Sequence, residues 1–286
     1  MMARKTRWAA SAAILITATA SAVIGLGGSS SASTAPSLQA IGIAGNGTLM
    51  LSFRTDTPEQ NDWVRRVTGL TGDTALIGID FRVQDNKLYG VGNKGGIYTI
   101  GIPSTIATKV SQLKVALYGT KFGVDFNPAA DRLRVISDNG QNLRHNLADH
   151  STTEDTTLTT PPGTGPAKGV TASAYTNNDL NGTTNTTLFG INTSTDQVVI
   201  QSPANNGFLV ATGSLGVDAG LDAGFDIFSG LSGGKTVSAT AFAVLTPADG
   251  FQTFYTVDLL TGAAAGVGIF PLDVSDVAVA LDGGGW

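Results

Sequence analysis

The feature that most constrains this chain is an internal repeat of glycine, an apolar residue, aspartate and a second apolar residue. The three clear copies are Gly78-Ile79-Asp80-Phe81, Gly123-Val124-Asp125-Phe126 and Gly224-Phe225-Asp226-Ile227. Two further segments fit the same spacing, with Ala174 and Ala278 in place of the aspartate. Successive repeat positions are 45, 49, 52 and 52 residues apart. This is the length of a four-stranded antiparallel propeller blade with its turns.

The two ends of the chain indicate how such a ring closes. Three strand-like segments precede the first repeat, Leu38–Ala44, Thr48–Phe53 and Trp63–Gly69, whereas the last unit, Val274–Leu281, has only its first strand. An open sheet edge invites pairing with other chains. We therefore predict an all-β fold: a five-bladed β-propeller of four-stranded antiparallel blades, closed by pairing the C-terminal strand with the N-terminal blade. Six blades or an irregular barrel are the alternatives, because the third unit is divergent.

The composition suits short strands joined by tight turns, and it excludes several classes of site. Charged residues make up 14% of the chain and 37 residues are glycine, a balance that does not suit a helical bundle. The absence of cysteine excludes disulfides, thiolate metal sites and thiol nucleophiles. The net charge is −5, and an acidic chain repels phosphate backbones, so we expect no nucleic-acid partner. We expect a monomer.

Residues 1–32 have the pattern of a secretory signal peptide. A positively charged start at residues 4–7 precedes the apolar run Ala9–Leu26, and small residues follow it. We predict cleavage after Ala32, which leaves a single propeller domain at residues 33–286 in the extracellular space or at the exterior of the cell envelope. The alternative is a retained membrane anchor, since the run is just long enough to span a bilayer. We predict no membrane span after cleavage.

The repeated aspartates are the main candidates for a functional site. In a propeller the first strand of each blade lines the central channel, so Asp80, Asp125 and Asp226 could face one another and hold a calcium ion. The interpretation that we favour is structural: each carboxylate accepts hydrogen bonds from backbone amides of its own or the next blade. Loss of the aspartate from two units fits both interpretations, and no other cofactor is predicted. The glycine two positions earlier is expected to let blades approach closely.

Two other polar segments have weaker patterns. The first half of a calcium-binding loop is matched by Asn177, Asp179, Asn181 and Gly182, but Leu188 stands where that loop needs glutamate. We interpret this segment as a polar turn. The only histidines, His145 and His150, are five residues apart. We interpret them as solvated loop residues, since no G-x-S-x-G nucleophile pattern is present.

A basic cluster lies in the second unit. Arg132, Arg134 and Arg144 could together receive a carboxylate ligand, but the interpretation that we favour is pairing with the nearby Asp131 and Asp138. The following stretch, Ser151–Gly165, is rich in Thr, Pro and Gly and is interpreted as an exposed loop.

Several motifs beyond the repeat itself are similar to those of one family. They are Leu88-Tyr89-Gly90-Val91, Asn127-Pro128, Asp131-Arg132-Leu133-Arg134-Val135 and the turn Asn139-Gly140-Gln141-Asn142. Together with the repeated strands, they make the region from Leu38 to Leu281 resemble a family of exported bacterial proteins defined only as a domain of unknown function, type 4394. The resemblance implies a propeller-like architecture. It implies no activity, cofactor or catalytic residue.

The sequence therefore favours a secreted propeller that binds an unidentified extracellular ligand or protein. The alternative is a calcium-dependent, lactonase-like hydrolase with its site at the propeller channel, which would need several carboxylates at one channel mouth. A structural component of the cell wall is a third class, although no wall-sorting tail is visible. No catalytic residue is predicted.

Overall fold

The computed structural model describes residues 35–284, and the predicted signal peptide with its cleavage site lies outside them. Within this range the chain forms five four-stranded antiparallel sheets and one short 3-10 helix, Ala204–Asn206. The sheets are the blades of a ring, so the predicted five-bladed β-propeller is confirmed and the six-bladed and irregular alternatives are wrong. None of the helices within residues 35–284 has the length and apolar character to cross a membrane.

The blades follow one another along the chain, except that the fifth combines its two ends. The fifth blade contains β1 (Gln39–Ala44), β2 (Leu49–Arg54) and β3 (Thr57–Arg66). The first blade consists of β4 (Leu76–Arg82), β5 (Lys87–Gly92), β6 (Gly96–Ile100) and β7 (Ala107–Gln112). The second consists of β8 (Phe122–Asn127), β9 (Arg132–Ser137), β10 (Asn142–His145) and β11 (Thr152–Glu154).

The third and fourth blades have the same antiparallel order. The third consists of β12 (Val170–Tyr175), β13 (Leu188–Asn192), β14 (Gln197–Gln201) and β15 (Leu209–Ser214). The fourth consists of β16 (Ala223–Ser232), β17 (Lys235–Leu245), β18 (Thr253–Val257) and β19 (Ala264–Ile269). The last strand, β20 (Val274–Val279), belongs to the fifth blade.

The last strand closes the ring. β20 pairs antiparallel with β1, placing Val279 opposite Ala40 and Val277 opposite Gly42. It also contacts β16 and β4, the innermost strands of the two neighbouring blades. The predicted pairing of the C-terminal strand with the N-terminal blade is therefore confirmed.

The apolar core lies between the blades, because each sheet is covered on both faces by its neighbours. One cluster joins the first and second blades around Val91 and Leu133, and another joins the third and fourth around Ile191 and Phe225. The cluster between the second and third blades has the fewest buried apolar residues. At that interface the buried side chains include Arg134.

The glycines of the repeat lie at close contacts between blades, as expected. A Cβ atom at Gly78 would lie 2.4 Å from Cγ2 of Val124 in the next blade. A Cβ atom at Gly224 would lie 2.6 Å from the Cα atom of Asp276. Both distances are shorter than van der Waals contact, so a larger residue would require the neighbouring side chain at Gly78, or the neighbouring backbone at Gly224, to shift.

Two local predictions are wrong. The predicted exposed loop Ser151–Gly165 contains β11, the outermost strand of the second blade, which pairs with β10. His145 lies on β10 and is buried, because its side chain faces β7 of the first blade, where its Nε2 is 2.8 Å from Oγ of Ser111. His150 is exposed, as predicted, and its Nδ1 is 2.8 Å from the same oxygen.

Candidate functional site

The aspartates of the repeat lie where the innermost strands meet around the axis. β4, β8, β12, β16 and β20 each form one edge of their sheet, and they contact one another in turn around the ring. The inner edge of such a strand has backbone N–H groups without a strand partner, and buried N–H groups need acceptors. Asp80, Asp125 and Asp226 are buried on these strands and supply them.

Each of the three carboxylates reaches from its own blade to the next. In every case the donor is the backbone N–H of the residue that follows the repeat position in the next blade. The three bonds join Asp80 Oδ2 to the N–H of Phe126 at 2.7 Å, Asp125 Oδ1 to that of Tyr175 at 2.9 Å, and Asp226 Oδ2 to that of Val279 at 2.6 Å. The repeat in sequence is therefore a repeat of one hydrogen bond between blades.

The second carboxylate oxygen of Asp80 and of Asp226 also accepts a backbone N–H group. The fifth and third blades have alanine at the repeat position, so no carboxylate at that position reaches the N–H groups of Phe81 and Ile227 in the blades that follow. In those following blades, Oδ1 of Asp80 accepts the N–H of Phe81 and Oδ1 of Asp226 accepts that of Ile227, both at 2.6 Å. These two N–H groups are satisfied from within their own blade.

A fourth axial carboxylate, Asp276, was missed by the sequence analysis. It lies on β20 two residues before the alanine at the repeat position, and its Oδ2 accepts the N–H of Ile79 at 2.9 Å. This bond joins the fifth blade to the first. Gly78 leaves room for it, since a Cβ there would lie 3.2 Å from the same oxygen. The sequence does contain a pattern that indicates this position. Side chains two residues apart on a strand lie on the same face, so Asp276 shares a face with the repeat position at Ala278.

Burial raises the pKa of all four axial carboxyl groups. For Asp80 and Asp125, desolvation acts first, and repulsion from the other axial carboxylates adds to it. Desolvation raises the pKa of Asp226 to about 6 and also raises that of Asp276. One oxygen from each of Asp80, Asp125 and Asp226 lies within 4.8 Å of the others. Such a group either retains protons above the usual pH range of a carboxyl group or binds a cation.

A polar cavity of about 340 Å³ opens at the end of the ring where the innermost strands begin. Across it, Lys121 of the second blade pairs with Asp222 of the fourth. Ser275 lines the cavity and immediately precedes Asp276, so the axial acids begin at its floor. Its other polar lining side chains are Asn46, Asn93, Thr120, Gln252 and Asp273. We call this cavity the channel mouth.

The segment 177–182, predicted to be a polar turn, is fixed to the fourth blade. Oδ2 of Asp179 accepts the N–H of Thr236 at 2.8 Å and its hydroxyl at 2.7 Å. Oδ1 of Asp179 accepts the N–H of Asn181 at 2.8 Å. These bonds engage the oxygens that a calcium loop would direct at its ion.

The predicted basic cluster does form, but around a different carboxylate. Asp155 binds both Arg134, at 2.7 Å, and Arg144, at 3.0 Å. Arg132 lines the same cavity as these two arginines. Asp155 was missed because it follows the short polar strand β11, which was interpreted as a loop.

The two expected partners of that cluster are engaged elsewhere, so the predicted pairing is wrong. Asp131 lies in the turn after β8 and faces the first blade, where it binds Arg82 at 2.6 Å. Asp138 follows β9 and accepts the hydroxyl of Thr120 at 2.6 Å. Both carboxylates are directed away from the cluster by the turns in which they lie.

Comparison with known families gives a match over most of the chain. The family model described as Domain of unknown function (DUF4394) matches residues 49–279. The chain belongs to the DUF4394 family. The matched region contains all five innermost strands, so the four axial carboxylates lie within the DUF4394 domain. None of the curated proteins matches this chain.

Two solved structures are similar to this DUF4394 chain. One is a structural genomics protein of unknown function from Bacteroides thetaiotaomicron VPI-5482, with 16% identity, a TM-score of 0.50, and coverage of 88% of this chain and 68% of that one. The other is the glutaminyl cyclase of Myxococcus xanthus, with 11% identity, a TM-score of 0.44, and coverage of 84% of this chain and 96% of that one. The first likeness concerns the fold alone, and the second supports no argument about the DUF4394 chain.

Proposed function

We propose that this DUF4394 protein is an exported propeller that binds a polar ligand at its channel mouth, next to a calcium ion held by Asp80, Asp125 and Asp226. The observation that carries the proposal is the convergence of these three buried carboxylates, within 4.8 Å of one another, on the axis that leads to a polar cavity.

The charge balance around the axis supports a cation. The charged groups that raise the pKa of Asp80 and Asp125 are the other axial carboxylates. A divalent cation among them inverts the local field and favours their charged forms. Oxygens bound to one calcium ion at roughly 2.3–2.6 Å lie at most about 5 Å apart, and the observed spacing is within that limit.

Asp125 has the least engaged oxygen of the three. Its Oδ1 accepts the N–H of Tyr175, while its Oδ2 accepts none of the hydrogen bonds made among residues 35–284. The bonded oxygens of Asp80 and Asp226 each have a further lone pair. The same carboxylates can therefore join the blades and coordinate an ion.

A ligand from the channel mouth would complete the coordination of the ion. Calcium takes about 6–8 oxygen ligands, and three carboxylates supply only part of them. The amide and hydroxyl groups that line the cavity suit a polar, oxygen-rich ligand. Extracellular modules bind calcium at roughly 10⁻⁴–10⁻³ M, which agrees with the predicted export of this chain.

The cation is tested by melting the mature protein in calcium and in a chelator. A cation bound only by the folded state raises the melting temperature. Asp125→Asn keeps the Oδ1 acceptor for Tyr175 but loses the charge, so this variant should remain folded and lose the calcium-dependent shift. Asp56→Asn, at an exposed position, should keep the shift. Equal wild-type melting temperatures in calcium and chelator would exclude the proposed ion.

Export is tested separately, by expressing the full chain in a bacterium and sequencing the N-terminus of the protein in the medium. A mature chain that starts at Ser33 would support the predicted cleavage after Ala32. Recovery of the uncleaved chain in the membrane fraction would instead favour the retained anchor.

A calcium-dependent, lactonase-like hydrolase is the second candidate, because the cavity also holds a carboxyl group with a perturbed pKa. Burial raises the pKa of Asp222, and its ion pair with Lys121 opposes that rise. A carboxyl group of this kind next to a cation can act as a general acid or base. Calcium-dependent lactone hydrolysis that Asp222→Asn abolishes would favour the hydrolase, and ligand binding without turnover would favour the binding module.

A further inference from the structure

The interface between the second and third blades has three arginines around one carboxylate. Arg134 of β9 has only 2% of its side chain exposed and pairs with Asp155 at 2.7 Å. Arg144 of β10 binds both oxygens of Asp155, Oδ1 at 3.0 Å and Oδ2 at 3.1 Å, and is one-third exposed. Arg132 forms no ion pair within residues 35–284, and its Nη1 donates to two main-chain carbonyl oxygens. The single carboxylate therefore neutralises one of the three positive charges.

The buried guanidinium of Arg134 is held in a fixed orientation by the third blade. Its Nη2 donates to Oδ1 of Asn205 at 2.8 Å, and its Nε donates to the hydroxyl oxygen of Tyr175 at 3.3 Å. Its Nη1 donates to Oδ1 of Asn142 at 2.8 Å in addition to Asp155. Since the Tyr175 oxygen accepts this bond, its own O–H can donate to another group.

A cavity of about 300 Å³ is lined by these groups, at the end of the ring where the innermost strands end. Its lining includes Arg132, Arg134, Arg144, Tyr175 and the loop Pro203–Asn206. This volume is at the lower limit of small-molecule sites, which is roughly 300–1,000 Å³. The cavity can therefore take an isolated phosphate or a single sugar-sized molecule, and its charged lining groups are hydrogen-bond donors.

The positive charge of this cavity contrasts with the net charge of −5 of the chain. Besides Asp155, the charge of the cluster also acts on the exposed Asp149. Hydrogen bonds from Ser151 lower the pKa of Asp149, and the charge of Arg132 adds a smaller effect. Partly buried charges are costly when they lack partners, so an anion in the cavity would stabilise this arrangement.

We propose that the cavity formed by Arg132, Arg134, Arg144 and Tyr175 binds a small oxyanion-bearing ligand through a carboxylate or phosphate group. Guanidinium groups bind both of these anions in bidentate geometry, and the Tyr175 hydroxyl supplies a further donor. The site lies at the opposite end of the ring from the channel mouth and requires no axial cation. It is therefore independent of the proposed calcium site.

The proposal is tested by titration calorimetry of the mature protein in low-salt buffer with a chelator. The probes are inorganic phosphate, galacturonate and neutral galactose. At least one of the two anions should bind, and its affinity should fall as salt is added. Neutral galactose should not bind. The stronger of phosphate and galacturonate identifies which oxyanion the site selects. Absence of binding by both anions, or equal binding of galactose and galacturonate, would overturn the proposal.

Variants then assign the binding to this cavity. Arg132→Gln and Arg144→Gln leave the buried pair of Arg134 with Asp155 in place, and each should weaken anion binding about tenfold, or about 1.4 kcal/mol. Tyr175→Phe keeps the ring and removes the donor, so it should also weaken binding. Arg66→Gln, an exposed arginine of β3, is the matched control and should bind like the wild type. Unchanged affinity in both cavity arginine variants would place the anion elsewhere and refute the assignment.

Discussion

Oδ2 of Asp80 and the backbone N–H of Phe126 form a 2.7 Å hydrogen bond that joins the first blade to the second. Asp125 and Asp226 make the equivalent bond from their own blades, and Asp276 joins the fifth blade to the first. These carboxylates satisfy N–H groups on strand edges that no other strand covers. A change at one of them should therefore affect the contact between two blades.

Replacement of Asp226 tests how much one such carboxylate contributes. Asp226→Ala leaves the N–H groups of Ile227 and Val279 without their acceptor. A buried group that loses its partner costs roughly 1–3 kcal/mol, and we expect a decrease of that size in the free energy of unfolding in urea. Asp226→Asn keeps one acceptor and should lie between the alanine variant and the wild type. Equal stability of all three proteins would show that these bonds contribute nothing net.

The repeat glycines should differ in their tolerance of alanine. At Gly224 the added Cβ meets the Cα atom of Asp276, which is backbone, whereas at Gly78 it meets the side chain of Val124. Overpacking costs typically about 1–3 kcal/mol, and Gly224→Ala should be the more destabilising change. Val124→Ala should partly rescue Gly78→Ala, measured as coupling in a double-mutant cycle. Additive effects in that cycle would contradict the proposed contact.

The axial carboxyl groups should make the calcium-free protein more stable as the pH falls from about 7 to about 5. Burial raises the pKa of Asp226 from 3.8 to about 6, and it also raises those of Asp80, Asp125 and Asp276. A carboxyl group with a raised folded-state pKa contributes stability below its unfolded pKa and loses it as the pH rises through the folded pKa. Melting temperatures in chelator should fall with rising pH, and calcium should offset the fall. A rise with pH in chelator would contradict this expectation.

His145 should oppose the gain in stability that the axial carboxyl groups give at lower pH. Burial lowers its pKa from 6.5 to about 4, so its contribution to stability is present above the unfolded pKa and is lost as the pH falls towards the folded one. His145→Gln removes the titration and keeps a polar group near Ser111. As the pH falls from about 7 to about 5, the melting temperature of this variant should rise more steeply than that of the wild type. An unchanged slope would mean that His145 does not titrate in this range.

Truncation tests the closure of the ring. A chain that ends at Phe270 lacks β20, so β1 loses one of its two strand partners and the N–H of Ile79 loses its bond to Asp276. We expect this chain to lose its cooperative thermal transition, followed by circular dichroism. A chain that ends at Gly283 keeps every strand found within residues 35–284 and should melt like the untruncated chain. A wild-type transition in the shorter chain would show that closure does not stabilise the ring.

The blade architecture could be predicted because it repeats in the sequence. The spacing from Asp80 through Asp226 gives the blade length, and the single strand left at the C-terminus gives the closure. β11 was missed because Thr152–Glu154 has no apolar alternation, and its strand conformation depends on pairing with β10. Because β11 lies at the outer edge of the blade, its side chains need not be apolar.

The candidate site was only partly predictable, for a related reason. Asp80, Asp125 and Asp226 share one register, whereas Asp276 occupies the position of a repeat glycine and reaches the axis only through the contact between the fifth and first blades. His145 was misassigned because its burial comes from β7 of another blade, which no local pattern on β10 reveals. The surroundings of these side chains depend on contacts between blades, and those contacts form only when the blades assemble into the ring.

The placement of β20 also fixes the order in which the ring can be completed during synthesis. β1 emerges first among the described strands, yet its partner at residues 274–279 emerges last. Until translation reaches those residues, the fifth blade has an open inner edge, and no strand lies between β4 and β16, the innermost strands of the first and fourth blades. The ring of innermost strands can therefore close only late in synthesis, after residues 274–279 have been made.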